Sequence, residues 1–393
     1  MFSFSAPHPT PPHSEEDRLA RLRLLRSRRV GPATYHRLLE RHGTAAEALR
    51  ALPAMARKAG LGGYAPCPEA EARREIQAAR ATGARAVFLH EPDYPPALRE
   101  VADAPPMLWA RGDLALARRP AVAVVGARDA SSLGLRMTRA LARGLAEAGF
   151  AVVSGLARGV DAAAHEAALA SGTVAATAGG CDVAYPPQNA GLMARMAEMG
   201  LIVSEQPMGL QPQARHFPRR NRIVSGLAQA VVVVEAAARS GTLITARAAL
   251  DQGREVLAVP GHPFDGRASG CNALIRDGAV LVRGVEDVLE ALEAAGAARA
   301  PASGPAPPRG RPLGGMDAPR APGPTPGAGP EPAPDDAALR AVILSLLGPS
   351  PAAEDQVIRD SGAPAERVLP ELLALELEGL VERRPGGLLA LAP

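Results

Sequence analysis

The chain has 393 residues, 47% of them apolar and 22% charged, which suits two to four domains with buried cores and excludes a disordered chain, a collagen and a coiled-coil rod. Three separated cysteines, Cys67, Cys181 and Cys271, form no C-x-x-C, and the eight histidines form no H-E-x-x-H, so a disulfide scaffold and a zinc ribbon are excluded and no metal site is expected. The formal net charge of +3 is unevenly spread: residues 18–65 carry eleven basic and two acidic side chains, residues 335–393 five basic and ten acidic, so one end should attract a polyanion and the other repel it.

Residues 1–14 read as a disordered polar tail with neither the basic start nor the apolar stretch of a signal peptide. No run approaches the roughly 20 apolar residues of a membrane span, so the reading is a soluble, reduced, cytoplasmic protein with no membrane partner. Residues 15–65 read as short helices. SEEDRLARLRLLRSRR puts acids first and arginines last, Gly31-Pro32 restarts the chain, Gly43 stops a helix and Thr44 caps the next. The layout resembles a helix-hairpin-helix or SAM-like unit, although the glycine expected near Ala33 is absent. Residues 66–119 hold one helix and the strand RAVFLH, and read as a connecting segment leading into the core.

Residues 120–295 alternate strand and helix. AVAVVG, FAVVSG, TVAATAGG, LIVSE, AVVVVE, EVLAVPG and AVLV are continuous apolar runs, as strands buried on both faces are. The expectation is an α/β domain with a Rossmann-like, doubly wound, mostly parallel sheet that binds ligands at the carboxyl ends of its strands. Residues 296–335 read as a flexible linker, with twelve prolines and seven glycines between 301 and 334. Residues 336–393 read as three helices and a hairpin, the plan of a winged helix. Its third helix carries Glu366, Glu371, Glu376 and Glu378 against Arg367, and Leu369, Leu372, Leu373, Leu375, Leu377 and Leu380 are more leucines than one face of a small unit needs. This unit is expected to meet a protein or a second copy of itself rather than DNA.

The first strand of the α/β region ends in Gly126-Ala127-Arg128, without the later glycines of G-x-G-x-x-G, so a dinucleotide site is disfavoured and no cofactor is expected. Ser154, Gly155, Arg158 and Gly159 form a glycine-rich turn before a helix, an arrangement whose N–H groups can hold an anion. Arg239, Ser240, Gly241 and Thr242 form a second such turn. Both turns, with Arg128 nearby, favour a phosphate-sized anion. The stretch Arg215-His216-Phe217-Pro218-Arg219-Arg220-Asn221-Arg222 is the least core-like of the region. It offers cations for a phosphate backbone and one ring for an unstacked base; Asn221 would fix the turn. Asp161 and His165, at i and i+4, read as a structural hydrogen-bonding pair, and His262 as a loop residue. Cys271 has no activating neighbour in sequence, and Asn272 beside it opens another turn into a helix.

GAR at 126–128, SGLARGVDAAAH at 154–165, FPRRNRIVSGL at 217–227, RSGTLITARAALDQGRE at 239–255, VPG at 259–261 and GCNALIRDGA at 270–279 together resemble the DNA-processing protein A family, also called DprA or Smf. The resemblance implies a dimer that binds single-stranded DNA, protects incoming DNA in natural transformation and hands it to the RecA recombinase. It implies no catalytic residue. The family's usual GSR is Gly126-Ala127-Arg128 here, and its SEYP is Ser204-Glu205-Gln206-Pro207. The rival reading is a LOG-type phosphoribohydrolase, whose motif P-G-G-x-G-T-x-x-E would place a catalytic carboxylate where Thr245 stands, with no P-G-G before it. A third reading is a structural protein that takes nucleotide only as a ligand.

Overall fold

A computed structural model of the chain describes residues 11–296, 336–348, 351–384 and 388–392. The first ten residues of the expected tail, and all but the first residue of the expected linker, lie outside the described residues. The chain divides into two compact units, residues 1–299 and 300–393.

Four helices open the first unit: α1 (Glu15–Arg26), α2 (Pro32–His42), α3 (Ala45–Lys58) and α4 (Glu69–Ala81). Ser14 and Thr44 cap α1 and α3 by accepting from the N–H groups of Asp17 and Glu47. Gly43, with φ +77°, turns the chain out of α2, a conformation that favours glycine. Leu24, Tyr35, Leu38 and Leu49 form the helices' own core. Leu19 and Leu22 of α1 pack instead with Phe88 and Trp109 of the sheet. The charge of this segment is smaller than its tally. Arg18 pairs with Glu91, Arg23 with Glu69 and Arg26 with Glu75, all acids from beyond residue 65. Arg28, Arg29, Arg37, Arg41, Arg57 and Lys58 remain exposed.

The sheet has nine strands: β1 (Arg85–Phe88), β2 (Met107–Gly112), β3 (Ala121–Val125), β4 (Ala151–Ser154), β5 (Thr173–Ala176), β6 (Leu201–Ser204), β7 (Ala230–Val233), β8 (Glu255–Ala258) and β9 (Val280–Leu281). Its helices are α5 (Pro96–Arg99), α6 (Ser132–Glu147), α7 (Val160–Ala168), α8 (Ala190–Met199), α9 (His216–Leu227), α10 (Thr242–Asp251), α11 (Ser269–Arg276) and α12 (Val285–Ala294). The strand order is β1-β2-β6-β5-β4-β3-β7-β8-β9. From β6 to β9 every pairing is parallel. Residues 66–119 are therefore more than a connector, since they supply α4 and two strands of the sheet. β2 runs antiparallel to β6, with Trp109 opposite Ser204, and β1 antiparallel to β2. The strand-then-helix rhythm that marks the other strands is missing after β2.

Winding reverses at β3, which pairs with β4 on one side and β7 on the other. A crevice at such a reversal, beyond the carboxyl ends of the strands, is where doubly wound sheets take ligands.

The second unit contains α13 (Asp336–Leu346), β10 (Ala352–Ala353), α14 (Glu354–Ser361), α15 (Ala365–Leu377), β11 (Val381–Arg384) and β12 (Leu388–Leu391), the strands in the order β10-β12-β11. Three helices and this small antiparallel sheet form a winged helix. Val368, Leu372 and Leu375 of α15 are buried, whereas Leu369, Leu373, Leu377 and Leu380 are exposed. Arg383 of the wing is held by Glu354 and Glu376.

Candidate nucleic-acid interface

The turns after β3 and β7 border a cleft of about 600 Å³, whose walls include Arg128, Phe217, Asn221, Arg239, Ser240 and Thr242. A narrower pocket of about 200 Å³ adjoins it, bordered by Arg158, Thr177, Tyr185 and Gln188. Phe217, Arg128 and Arg220 belong to both.

The stretch that looks least core-like in sequence opens the helix α9. His216, Arg220, Ile223 and Leu227 form its buried face, at helical spacing, and Ile223 and Leu227 join the main core. This periodicity sorts the arginines. Arg215 and Arg219 are exposed, and Arg220 is only 7% exposed. Arg222 turns away from the cleft, 2.5 Å from Glu205 and donating to the Asp103 carbonyl at 2.6 Å, so it does not track a ligand there. Asn221 reaches toward the Gly241 carbonyl at 3.5 Å, from one helix to the start of the next, and fixes no turn of its own. Phe217 sits in the first turn of α9, half-buried, with the Arg128 guanidinium 5.2 Å from its ring centre and the Tyr185 ring 5.7 Å away.

The glycine-rich turn after β4 is already filled. One carboxylate oxygen of Asp161 accepts from the N–H groups of Gly155 (3.1 Å) and Ala157 (3.3 Å). His165 Nε2 accepts from the Leu156 N–H at 3.3 Å. Gly155 therefore offers no donor to a phosphate. Its role is steric, since a methyl group there would overlap the Arg220 guanidinium. Ser154 is also absent from the cleft, its hydroxyl buried and donating to the Val124 carbonyl at 2.7 Å.

Arg220 Nη1 donates to the Ala176 carbonyl at 3.2 Å and lies 3.9 Å from Asp161, while its Nε has no partner among the described residues. Burial pushes the Asp161 carboxyl above its ordinary range against the pull of Arg220 and the turn N–H groups. Burial likewise holds His165 down to about 3, neutral, as an accepting Nε2 requires. Its Nδ1 then donates to Thr173 at 2.7 Å. Asp161 and His165 thus both serve the fold, but each through its own bond to the turn after β4 and not as a pair bonded to one another.

The turn after β7 differs. Ser240 Oγ accepts from the Thr242 N–H at 3.1 Å, and Thr242 Oγ1 donates to the Gly126 carbonyl at 3.0 Å, tying α10 to the end of β3. Gly241 is exposed with open space at its Cα, and Arg239 is exposed with no ion pair among the described residues. Arg158 is exposed and 3.1 Å from Asp129. Asn272 does not reach the cleft: its amide exchanges hydrogen bonds with the backbone of Gly261 at 3.2 and 3.0 Å, clamping the loop after β8. Cys271 is buried and its thiol is pushed up to about 12, which removes it as a nucleophile.

The structure therefore gathers Gly126, Arg128, Phe217, Arg220, Asn221, Arg239, Ser240, Gly241 and Thr242 at one cleft, and Arg158 beside it. Tyr185, Gln188 and Arg267 border the same space and escaped the sequence reading. Tyr185 had one signal, an aromatic ring set before Pro186-Pro187 in a polar loop. Among the described residues, no group of three or more His, Cys, Asp or Glu is placed to hold a metal, and no helix is long and apolar enough to cross a membrane.

A doubly wound sheet with a basic, ring-bearing cleft, a helical N-terminal unit and a winged helix defines the class. Residues 85–293 match the family described as DNA recombination-mediator protein A, residues 15–78 its helix-hairpin-helix N-terminal domain and residues 327–387 its winged helix domain. The chain belongs to this family, DprA/Smf. It is 37% identical over 307 residues to protein Smf of Synechocystis, covering 75% of this chain and 77% of that one. It is 46% identical over 202 residues to the DNA processing protein DprA of Streptococcus pneumoniae, covering 51% and 71%. The X-ray structure of the Streptococcus pneumoniae protein superposes with a TM-score of 0.53 at 41% identity, covering 57% of this chain and 77% of that one.

Proposed function

We propose that the chain binds single-stranded DNA at the carboxyl edge of its sheet, with Arg128 and the Arg239–Thr242 turn on phosphate and Phe217 on a base. The observation that carries this reading is the half-buried Phe217 ring, set under a guanidinium in an open cleft beside the exposed Arg239. Ring plus cation is the pairing that binds single strands without reading their sequence. Its place in the cell is that of a cytoplasmic mediator, which covers incoming single strands in natural transformation and passes them to the RecA recombinase. It works as a homodimer, a reading supported by the sheet edge at β9, an edge strand paired on one side with β8, whose Val280 and Leu281 are exposed.

Hydrolysis of nucleotides is disfavoured by the same geometry. Thr245 is buried where a catalytic Glu would stand. Of the cleft carboxylates, Asp161 is committed to the turn after β4 and Asp129 to Arg158. Glu235, at the end of β7, is fixed by the N–H and hydroxyl of Ser131. Incubation with nucleoside monophosphates should release no free base, while a mobility shift with single-stranded oligonucleotides should show a complex. Base release with no complex would establish the hydrolase instead.

The winged helix takes no part in holding DNA. One of its wing arginines, Arg383, is neutralised by two glutamates, and α15 presents the exposed Glu366 beside its exposed leucines. A chain ending at residue 299 should bind single strands as tightly as the full chain, measured by fluorescence anisotropy. A clear loss of affinity would give this unit a DNA-binding role.

A further inference from the structure

Among the described residues, the exposed rings of Phe, Tyr and Trp are two, Tyr185 at 44% and Phe264 at 89%. Both lie on loops at the carboxyl edge of the sheet, Tyr185 after β5 and Phe264 after β8. Phe217 stands between them. From β5 to β8 the order is β5-β4-β3-β7-β8. The loop after β4 carries Arg158, that after β3 Arg128, and that after β7 Arg239, all exposed. The edge therefore reads ring, arginine, arginine, arginine, ring, with Phe217 set between Tyr185 and Arg128. Four strand spacings of about 4.8 Å set the outer two of the strands that carry this row about 19 Å apart.

The Phe264 loop is well tied. Arg267 pairs with Asp265 at 3.1 Å and also borders the cleft. Ser269 Oγ accepts from the Ala238 N–H at 2.9 Å, joining this loop to the turn that holds Arg239. The Asn272–Gly261 clamp closes its other end. The ring itself is almost fully exposed and lies 5.6 Å, centre to centre, from that of His262. A nearly bare ring on an anchored loop, at the end of a row of exposed cations, matches the platform that stacks successive bases while cations follow the backbone.

We infer that the strand path runs across the carboxyl edge at right angles to the β-strands, and that Phe264 is a second base-stacking site at its far end, with Tyr185 flanking the near end. This rests on the proposed binding of single-stranded DNA at the Phe217 cleft and extends it from one site to a track. The ligand is a single strand of several nucleotides, taken without regard to sequence.

The chain's single tryptophan, Trp109, is buried, so a Phe264→Trp variant of the full chain carries one accessible indole. Its emission should be that of an exposed ring, and a long thymidine oligomer should quench it over the concentration range in which anisotropy reports binding. Phe264→Ala should weaken binding of the long oligomer by about 5- to 150-fold, the range for one lost stacking contact, and leave a trinucleotide's binding at the Phe217 cleft unchanged. Binding of the long oligomer to the Phe264→Trp variant with no change in the emission of the introduced indole would overturn the inference. So would emission already shielded without DNA and dependent on protein concentration, which would assign the ring to contact between copies. No binding by anisotropy in the parent chain would overturn the cleft reading itself, and this extension with it.

Discussion

Phe217→Ala is expected to bind single-stranded DNA about 5- to 150-fold more weakly than the parent, the equivalent of about 1–3 kcal/mol for one stacked base. The variant should stay folded. The ring is half-buried and its close ring and cation neighbours, Tyr185 and Arg128, are exposed, so its loss leaves no large cavity in any of the three core clusters of the sheet. Phe217→Tyr should retain most of the affinity, because the face that stacks is kept. Anisotropy with a labelled oligonucleotide and a thermal melt followed by circular dichroism measure both halves. A folded Phe217→Ala variant with normal affinity would make the ring a packing group.

Asp161→Ala should lower stability by about 3–5 kcal/mol, the cost of stranding a buried charge. Its carboxylate holds two N–H groups of the turn after β4 and is the near counter-charge of Arg220. Without it the guanidinium remains deep in the protein with one carbonyl partner. Pairing the change with Arg220→Met should recover part of the loss, since removing both charges leaves neither unpaired. Urea unfolding midpoints measure this. An Asp161→Ala chain as stable as the parent would mean that the pair is not what holds the turn.

The strands β3 to β9 were legible because each is an apolar run that closes on a turn and a helix. β2 has no such helix, and its six residues, Met107–Gly112, became visible only through pairing with β6. At the site, the turn after β7 leaves Arg239 and Gly241 exposed, while the turn after β4 is filled from within. Glycine-rich turns before helices hold anions, and here the anion is the chain's own Asp161, two residues after Gly159. That spacing was present in the sequence, but nothing local said whether the carboxylate faced inward. The arginines of α9 carried a clearer signal. Positions 216, 220, 223 and 227 share one helical face, so Arg220 had to be buried while Arg215 and Arg219 stayed out. The Asp103 partner of Arg222 is remote in sequence, and the Gly261 partner of Asn272 lies across a loop, so no local pattern reveals either.

A salt titration of the parent chain and of Arg128→Ala, each with single- and double-stranded DNA, decides whether the cleft holds a phosphate of a single strand. The parent should prefer the single strand. On that substrate Arg128→Ala should bind more weakly, with a log–log salt slope shallower by about 0.7, the value for one lost phosphate contact. Equal affinity and equal slope for the two chains, or a parent that prefers the duplex, would contradict this reading of the cleft.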